Sequence, residues 1–235
     1  MLKLENINAG YGYLQVLWDV SFEVKEAAVV AILGLNGAGK TTALKTIVGI
    51  IRPTGGKVFF DGQDITGIAT HELVKRGLVF IPEERNLFAG MSVYENIMMG
   101  AYTVKSGAEV KSALSYVYGL FPRLEERRNQ LVGTMSGGER QMVAVARGLM
   151  SRPKLVMLDE PSMGLSPQNV VVVFETVRKL RDEGVTVVLV EQNVNTTLKI
   201  ADFAYIMDHG HIVLEGTGAE LAANDEVQKM YLGQN

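Results

Sequence analysis

Apolar and polar residues alternate near the start of the chain. Between residues 20 and 25 every second residue is apolar (VSFEVK), which is the period of a strand with one buried face. Residues 57–60 (KVFF) lead into Asp61-Gly62, a dipeptide typical of tight hairpin turns. Together these patterns predict a small antiparallel sheet.

Three nearly continuous apolar runs lie at residues 29–33, 155–158 and 185–190. Such runs predict strands that are buried on both faces, as in a parallel sheet. The segment 168–183 contains a run of valines that favours a strand, but its apolar residues also fall on one helical face. Because two parallel strands need a crossover connection, which is usually helical, we predict a helix there.

The middle of the chain has a different pattern. A helix is expected over residues 41–50, and residues 90–150 lack strand patterns and are rich in helix formers. We therefore predict one domain, 1–235, in which residues 1–89 and 151–235 form an α/β core around an inserted helical subdomain.

Composition narrows the possible functions. The chain has 235 residues, of which 47% are apolar and none is cysteine, so it can build a large core but has no disulfides or thiolate metal sites. Its net charge of −3 gives no electrostatic reason to expect nucleic-acid binding. The longest uncharged apolar stretch, 27–33, is far shorter than the roughly 20 residues of a membrane span. Since Met1 leads into LKLE without a signal pattern, we expect a cytoplasmic protein.

A glycine-rich segment follows the first apolar run. Residues 34–42 (GLNGAGKTT) fit the pattern G-x-x-x-x-G-K-[ST], whose backbone N–H groups wrap a phosphate chain. In this pattern Lys40 neutralises the β- and γ-phosphates and the Thr41 hydroxyl binds Mg²⁺. An ordinary glycine-rich turn between a strand and a helix is the alternative. The residues predicted to hold the nucleotide here are Gly34, Leu35, Asn36, Gly37, Ala38, Gly39, Lys40, Thr41 and Thr42.

Two adjacent carboxylates, Asp159 and Glu160, follow the second apolar run. Neighbouring side chains on a strand point to opposite sides. Asp159 is therefore predicted to bind the metal, and Glu160 to accept a proton from the water that attacks the γ-phosphorus. A solvated strand end is the alternative, but the glycine-rich loop favours the catalytic interpretation.

A second motif lies at residues 135–139 (MSGGE). Its Ser136 and Glu139 fit a capping box, which could do no more than start a helix. Gly137 and Gly138, however, each disfavour a helix by about 1 kcal/mol, which indicates that their bare backbone is needed. Since a helix N-terminus also attracts anions, we predict that these four residues contact a phosphate.

The motifs together resemble the ATP-binding subunits of ABC transporters, over essentially the whole chain. The phosphate loop, MSGGE as a variant of the family's LSGGQ, and LVMLDE (155–160) stand in the family's order. The resemblance implies a P-loop NTPase (RecA-like) core with an antiparallel β subdomain and an inserted helical subdomain. It also implies a head-to-tail dimer that encloses two ATP molecules, each held by the phosphate loop of one subunit and by residues 136–138 of the other.

The resemblance assigns further roles. Tyr11 matches the aromatic residue that stacks on adenine, with a surface-turn role as the alternative, and Val16 lies where the family packs against the nucleoside. The implied partners are membrane-spanning transporter subunits and a second ATP-binding subunit. A solute-binding protein is implied only indirectly, and no nucleic acid is expected. The chain would then be peripheral on the inner face of the cell membrane.

Three positions depart from the commonest family residues. Glu83 stands where a glutamine contacts the metal and water; it can still ligate Mg²⁺ but brings a charge. Ser166 replaces an aspartate. Gln192 replaces the histidine that contacts the γ-phosphate, and it can donate a hydrogen bond but cannot carry a proton. The expected catalytic residues are thus Glu160, Lys40 and Gln192.

These variants resemble one subgroup, the ATPase subunits of bacterial branched-chain amino-acid importers. The segments Glu191-Gln192-Asn193 and Tyr231-Leu232-Gly233 share in that likeness. The resemblance implies that the companion ATPase is a different chain, which favours a heterodimer. A homodimer is the alternative. The implied function is to power uptake of branched-chain amino acids or a similar small polar solute.

The groove for the membrane subunit is expected near residues 85–95. Its candidate contacts are Val93, Tyr94 and Asn96, with a purely structural helix start at Ser92 as the alternative.

A second class of function is also open. An ATP-gated dimerisation clamp that hydrolyses slowly or not at all would regulate a partner protein, and the residues at positions 83 and 192 motivate it. Soluble ABC proteins of translation or DNA repair are a third possibility, but they usually join two such domains or carry long insertions.

Overall fold

The central element of the fold is a six-stranded sheet, seen in a computed structural model that describes residues 1–231. Leu232 and Gly233 of the segment 231–233 lie outside the described residues. The strand order in this sheet is β10-β9-β3-β8-β7-β6. Its strands are β3 (Val29–Leu33), β6 (Leu78–Ile81), β7 (Leu155–Asp159), β8 (Thr186–Glu191), β9 (Phe203–Asp208) and β10 (His211–Gly216).

Five of these strands run parallel, and β10 alone pairs antiparallel with its neighbour β9. Every residue of β3, β7 and β8 is buried, which confirms the predicted strands with two buried faces. Apolar side chains on both faces let helices cover the sheet on each side.

A second sheet of four strands, in the order β2-β1-β4-β5, packs over the first. Its strands are antiparallel, as predicted, and residues 20, 22 and 24 are buried while 19, 21 and 23 are exposed. The turn at Asp61-Gly62 has φ values of 54° and 73°, the left-handed backbone that this dipeptide favours. The strands are β1 (Leu2–Tyr11), β2 (Leu14–Val24), β4 (Gly55–Phe60) and β5 (Gln63–Asp64).

Helices flank the six-stranded sheet. The crossover between β7 and β8 is helical, as predicted. The helix after the glycine-rich loop ends earlier than the predicted residue 50, because Gly49 takes a left-handed φ of 72° and ends the helix. These helices are α1 (Lys40–Ile47), α2 (Thr70–Lys75), α7 (Pro167–Asp182), α8 (Val194–Leu198), α9 (Gly218–Ala222) and α10 (Asp225–Tyr231).

The segment between β6 and β7 is helical, in agreement with its composition. Within this segment, all of which the structure describes, no strand forms apart from an isolated bridge between Ser92 and Leu131. Its helices share one apolar core with the six-stranded sheet, and the boundaries of the helical subdomain stay a prediction. The helices are α3 (Val93–Met98), α4 (Gly107–Leu120), α5 (Pro122–Glu126) and α6 (Gly137–Leu149).

The expected contacts with a membrane subunit need correction at two positions. Val93 and Asn96 are fully buried, and the Asn96 amide bonds the backbone of Phe88 and Ser92. Ser92 and its capping box start α3, so the structural alternative is right for both residues. Tyr94 alone of the three is exposed.

Across residues 1–231, the helices all fall short of the length and apolarity that a bilayer crossing requires.

Candidate functional site

Most of the predicted site residues gather where three parallel strands end. Strands β3, β7 and β8 are adjacent and parallel, so their carboxyl ends meet at one edge of the sheet. The glycine-rich loop follows β3, Glu160 follows β7, and Gln192 follows β8. This edge is the usual place for a ligand in an open α/β sheet.

The loop after β3 depends on its glycines. Gly39 has a φ of 106°, and a Cβ there would lie 2.9 Å from a Leu17 methyl carbon. A Cβ on Gly34 would lie 2.2 Å from the carbonyl oxygen of Met207. The loop therefore has the close backbone packing that the sequence motif predicts.

Lys40 is enclosed by its own loop. Only 4% of the residue is exposed, and its Nζ donates to the carbonyl oxygens of Gly34 at 2.9 Å and Leu35 at 3.1 Å. Gly34 and Leu35 thus contribute carbonyl groups, whereas the Leu35 side chain is exposed.

The loop and the carboxylates after β7 are in direct contact. Lys40 Nζ lies 3.2 Å from Glu160 Oε1, and the Thr41 hydroxyl donates to Asp159 Oδ1 at 3.0 Å. The two adjacent carboxylates therefore reach different partners, as predicted from their alternation along the strand.

Electrostatics at this edge are unusual. The pKa of Asp159 is raised from 3.8 to about 6, mainly by burial and also by the charges of Glu160 and Glu83, and the Thr41 hydrogen bond opposes this rise. A cation bound here would offset the charges of Glu160 and Glu83 that act on Asp159.

A groove of about 430 Å³ opens beside this edge, and we call it the loop groove. It brings the half-exposed Tyr11 and the side chain of Val16 to the glycine-rich loop. Leu14 and Met163 also line it and were not predicted, since their sequence neighbours gave no signal of binding. Its lining residues are Tyr11, Leu14, Val16, Asn36, Gly37, Ala38, Gly39, Lys40, Thr41, Thr42, Glu83, Glu160 and Met163.

Gln192 lies in a neighbouring groove of about 400 Å³, which shares Glu160 and Met163 with the loop groove. Gln192 itself is exposed. The adjoining Glu191 is buried and accepts a hydrogen bond from the Ser162 backbone. Burial raises the pKa of its carboxyl, against the effect of the Ser162 hydrogen bonds. Glu191 was not predicted as a site residue; a charged residue at the end of an apolar strand is the sequence signal that could have found it.

The MSGGE segment lies away from the loop groove, and none of its residues lines that groove. Ser136 and Glu139 form the full capping box at the start of α6, and Glu139 also pairs with Arg127 at 2.6 Å. The capping interpretation is therefore confirmed. Within one chain the structure does not bring Ser136, Gly137, Gly138 or Glu139 to the predicted phosphates.

Arg85 links this edge to α6, a connection that the sequence did not reveal. Its Nε donates to Gln141 Oε1 at 2.6 Å, and its Nη2 lies 3.4 Å from the Met163 carbonyl oxygen. The Arg147 guanidinium donates hydrogen bonds to the carbonyl oxygens of Arg85 and Asn86, at 2.6 and 2.8 Å. Both of those residues have positive φ.

The donors at this edge suit Mg²⁺. Thr41, Asp159 and Glu83 offer hydroxyl and carboxylate oxygens, which this ion prefers. In residues 1–231 no group of three or more His, Cys, Asp or Glu side chains forms a ready-made metal site.

Comparison with known proteins places this geometry in a family. The sequence model of the ABC transporter family matches residues 17–163. The high-affinity branched-chain amino acid transport ATP-binding protein BraG of Pseudomonas aeruginosa is 45% identical, over 99% of this chain and 100% of BraG. The probable branched-chain amino acid transport protein LivF of Archaeoglobus fulgidus is 39% identical, over 99% of both chains. The lipopolysaccharide export protein LptB of Escherichia coli is 33% identical, over 100% of this chain and 98% of LptB.

Solved structures agree. The ADP conformation of an ABC transporter cassette has a TM-score of 0.86 at 28% identity and covers 100% of this chain and 99% of that one. A dimeric bacterial ABC transporter cassette has a TM-score of 0.82 at 27% identity, over 92% and 98% of the two chains. The predicted fold class, a P-loop NTPase, is confirmed. With a family match over more than half of its length, the chain belongs to the ATP-binding subunits of ABC transporters.

Proposed function

We propose that this chain is the ATP-hydrolysing subunit of an importer that takes up branched-chain amino acids or a similar small polar solute. One observation supports hydrolysis above the others. The glycine-rich loop meets the carboxylates after β7 through Lys40–Glu160 at 3.2 Å and Thr41–Asp159 at 3.0 Å. A phosphate-binding lysine, a metal-binding pair and a general base are thus close together.

The loop groove is the proposed ATP site. Tyr11 stacks on the adenine and Val16 packs against the nucleoside, while the backbone N–H groups of residues 36–42 surround the phosphates. Lys40 exchanges its loop carbonyls for the β- and γ-phosphates. Because its Nζ then leaves Glu160, ATP binding frees that carboxylate.

Thr41, Asp159 and Glu83 are the proposed residues that hold Mg²⁺. When bound, the ion neutralises charge on the β- and γ-phosphate oxygens. Glu160 accepts the proton of the attacking water, and Gln192 donates a hydrogen bond to the γ-phosphate. Since Gln192 cannot carry a proton, Glu160 is the only proton acceptor in the proposed reaction.

A second subunit completes the site in this proposal. Ser136 and Gly137 start α6 away from the loop groove of their own chain, so they are available to the nucleotide of a partner. The dimeric cassette among the similar structures supports such an arrangement. The partner is either a copy of this chain or a related ATPase subunit.

The membrane-spanning subunit is proposed to bind a groove of about 360 Å³ beside the helical segment. Phe88, Met99 and Tyr102 line it and are each about half exposed. Exposed apolar side chains in a groove are typical of a protein-binding surface. The chain would sit in the cytoplasm, on the inner face of the membrane, and would meet a solute-binding protein only indirectly.

Import is favoured over export by the two relatives named for branched-chain amino acid transport, which are more similar than the exporter protein LptB. Uptake of labelled leucine by cells that lack this chain tests the direction. Reduced uptake supports import of leucine, and normal uptake refutes leucine as the imported solute.

Replacement of Glu160 by Gln tests the chemistry. The variant should bind ATP as the wild type does but release no phosphate, because its amide cannot accept the proton. Glu175→Gln, on the exposed face of α7, is the matched control. Phosphate release by the Glu160 variant at the wild-type rate would refute the assignment.

The clamp alternative has its own observation: position 192, at the end of β8, holds an exposed glutamine, which cannot carry a proton. It predicts ATP-dependent dimerisation with no phosphate release by the wild type, alone or with its companion subunit.

A further inference from the structure

We propose that Glu191 is a positioning residue for Glu160: its buried carboxylate fixes the turn that carries the catalytic base. This inference rests on the proposed hydrolysis. The observations that carry it are the contacts between the end of β8 and the turn after β7.

Glu191 is the last residue of β8, and only 2% of it is exposed. Its Oε1 accepts a hydrogen bond of 2.9 Å from the backbone N–H of Ser162. The carboxylate therefore reaches across to the turn of the neighbouring strand and holds it two residues beyond Glu160.

The turn needs such support. Glu160 has a φ of 43°, in the left-handed region that a residue with a side chain rarely adopts. Its own N–H donates to the carbonyl of Val190 at 2.9 Å. Two consecutive residues of β8, one through its backbone and one through its side chain, thus anchor the turn on both sides of the strained residue.

The geometry at Glu160 depends on this anchoring. Because Glu160 Oε1 lies 3.2 Å from Lys40 Nζ, a relaxed backbone at residue 160 would move the carboxylate away from the phosphate loop. Misplacement of a catalytic group by about 1 Å can lower a rate by two orders of magnitude.

The choice of a buried carboxylate also points to a role beyond packing. Burial of a charge near a second carboxylate is unfavourable, so an apolar residue would suit the end of an apolar strand better. What an apolar residue lacks is an acceptor for the Ser162 N–H. The proposal is therefore that the acceptor matters, and that a neutral acceptor of equal length can replace it.

Three variants separate the acceptor from charge and from packing. Glu191→Gln keeps the length and an accepting oxygen, Glu191→Asp keeps the charge but is one methylene shorter, and Glu191→Leu keeps the bulk without an acceptor. We expect the Gln variant to retain at least half of the wild-type kcat. The Asp and Leu variants should lose at least tenfold in kcat, with the KM for ATP within twofold of wild type.

Amide hydrogen exchange over residues 158–166 gives a readout that needs no hydrolysis. Exchange should rise in the Leu and Asp variants and stay at the wild-type level in the Gln variant. Glu175→Leu, at an exposed position of α7, is the control for both measurements.

Two results would overturn the inference: wild-type kcat and exchange in the Leu variant, or full activity in the Asp variant with loss in the Gln variant. Failure of the wild type to release phosphate would instead refute the proposed function, and the exchange data would still decide whether Glu191 anchors the turn. If the Leu variant does not fold, the opposite behaviour of Gln and Asp decides the question.

Discussion

The buried carboxylate of Asp159 should lower the stability of the metal-free chain at neutral pH. Its pKa is raised from 3.8 to about 6 by burial and by the neighbouring carboxylates, so the folded chain holds the proton more tightly than the unfolded chain. The protonated Asp159 carboxyl therefore stabilises the folded chain. Its contribution to the free energy of unfolding is fully present below pH 3.8 and is lost as the pH rises through about 6. At about 1.4 kcal/mol for each pH unit, the loss is about 3 kcal/mol.

Asp159→Asn removes this titration and keeps an oxygen for the Thr41 hydroxyl. In urea unfolding with EDTA, followed by circular dichroism, the variant should gain in free energy of unfolding relative to wild type as the pH rises. From the same two pKa values, the gain between pH 4.5 and pH 8 is about 2 kcal/mol. Asp225→Asn, at an exposed position, is the control.

A difference in free energy of unfolding between Asp159→Asn and wild type that stays constant at all pH values would refute this reasoning. So would a variant that loses stability as the pH rises. In either case the burial of Asp159 would not dominate its ionisation. The gain in stability should coincide with loss of Mg²⁺-dependent ATP binding, which a nucleotide titration in the presence and absence of the ion measures.

Three further predictions concern the loop groove and the start of α6. Gly34→Ala should lower the free energy of unfolding by more than about 2 kcal/mol, since its Cβ would lie 2.2 Å from the Met207 carbonyl oxygen and backbone cannot easily yield; an unchanged urea midpoint would contradict this. Tyr11→Ala should weaken ATP binding by about tenfold while Tyr11→Phe should not. Titration with a fluorescent nucleotide measures both affinities, and equal effects of the two substitutions would contradict the stacking assignment. Ser136→Ala should destabilise the chain by about 1 kcal/mol through loss of its cap to Glu139 and weaken ATP-dependent dimerisation in size-exclusion chromatography; dimerisation at the wild-type level would argue against a phosphate contact in the partner site.

Local patterns predicted the core of the fold well. The runs at 29–33, 155–158 and 185–190 became β3, β7 and β8, because a strand buried on both faces needs apolar residues at every position. The crossover helix α7 was also predicted, although its valines favour a strand, because the parallel strands β7 and β8 need a connection that is usually helical. The end of α1 was predicted too late, since the left-handed Gly49 gives a stop signal that a continuing apolar pattern conceals.

Contacts between distant segments were harder to predict. Burial of Val93 and Asn96 within the helical segment is decided by packing, and their sequence neighbours suggested a surface role. Arg85 and Glu191 form hydrogen bonds with partners 56 and 29 residues away. No periodicity or short motif encodes such a pairing.

The amino-acid sequence by itself identified the candidate site residues. A glycine loop with Lys40 and Thr41, and the pair Asp159 and Glu160, are recognised by residue type and spacing because each occupies one local conformation. The tertiary structure alone decided which of these groups meet. It set the 3.2 Å contact between Lys40 and Glu160, kept Ser136 away from the loop groove and buried Glu191 against the turn. The contacts of Lys40 and Glu191 join the ends of different strands, so they depend on the order of strands in the sheet.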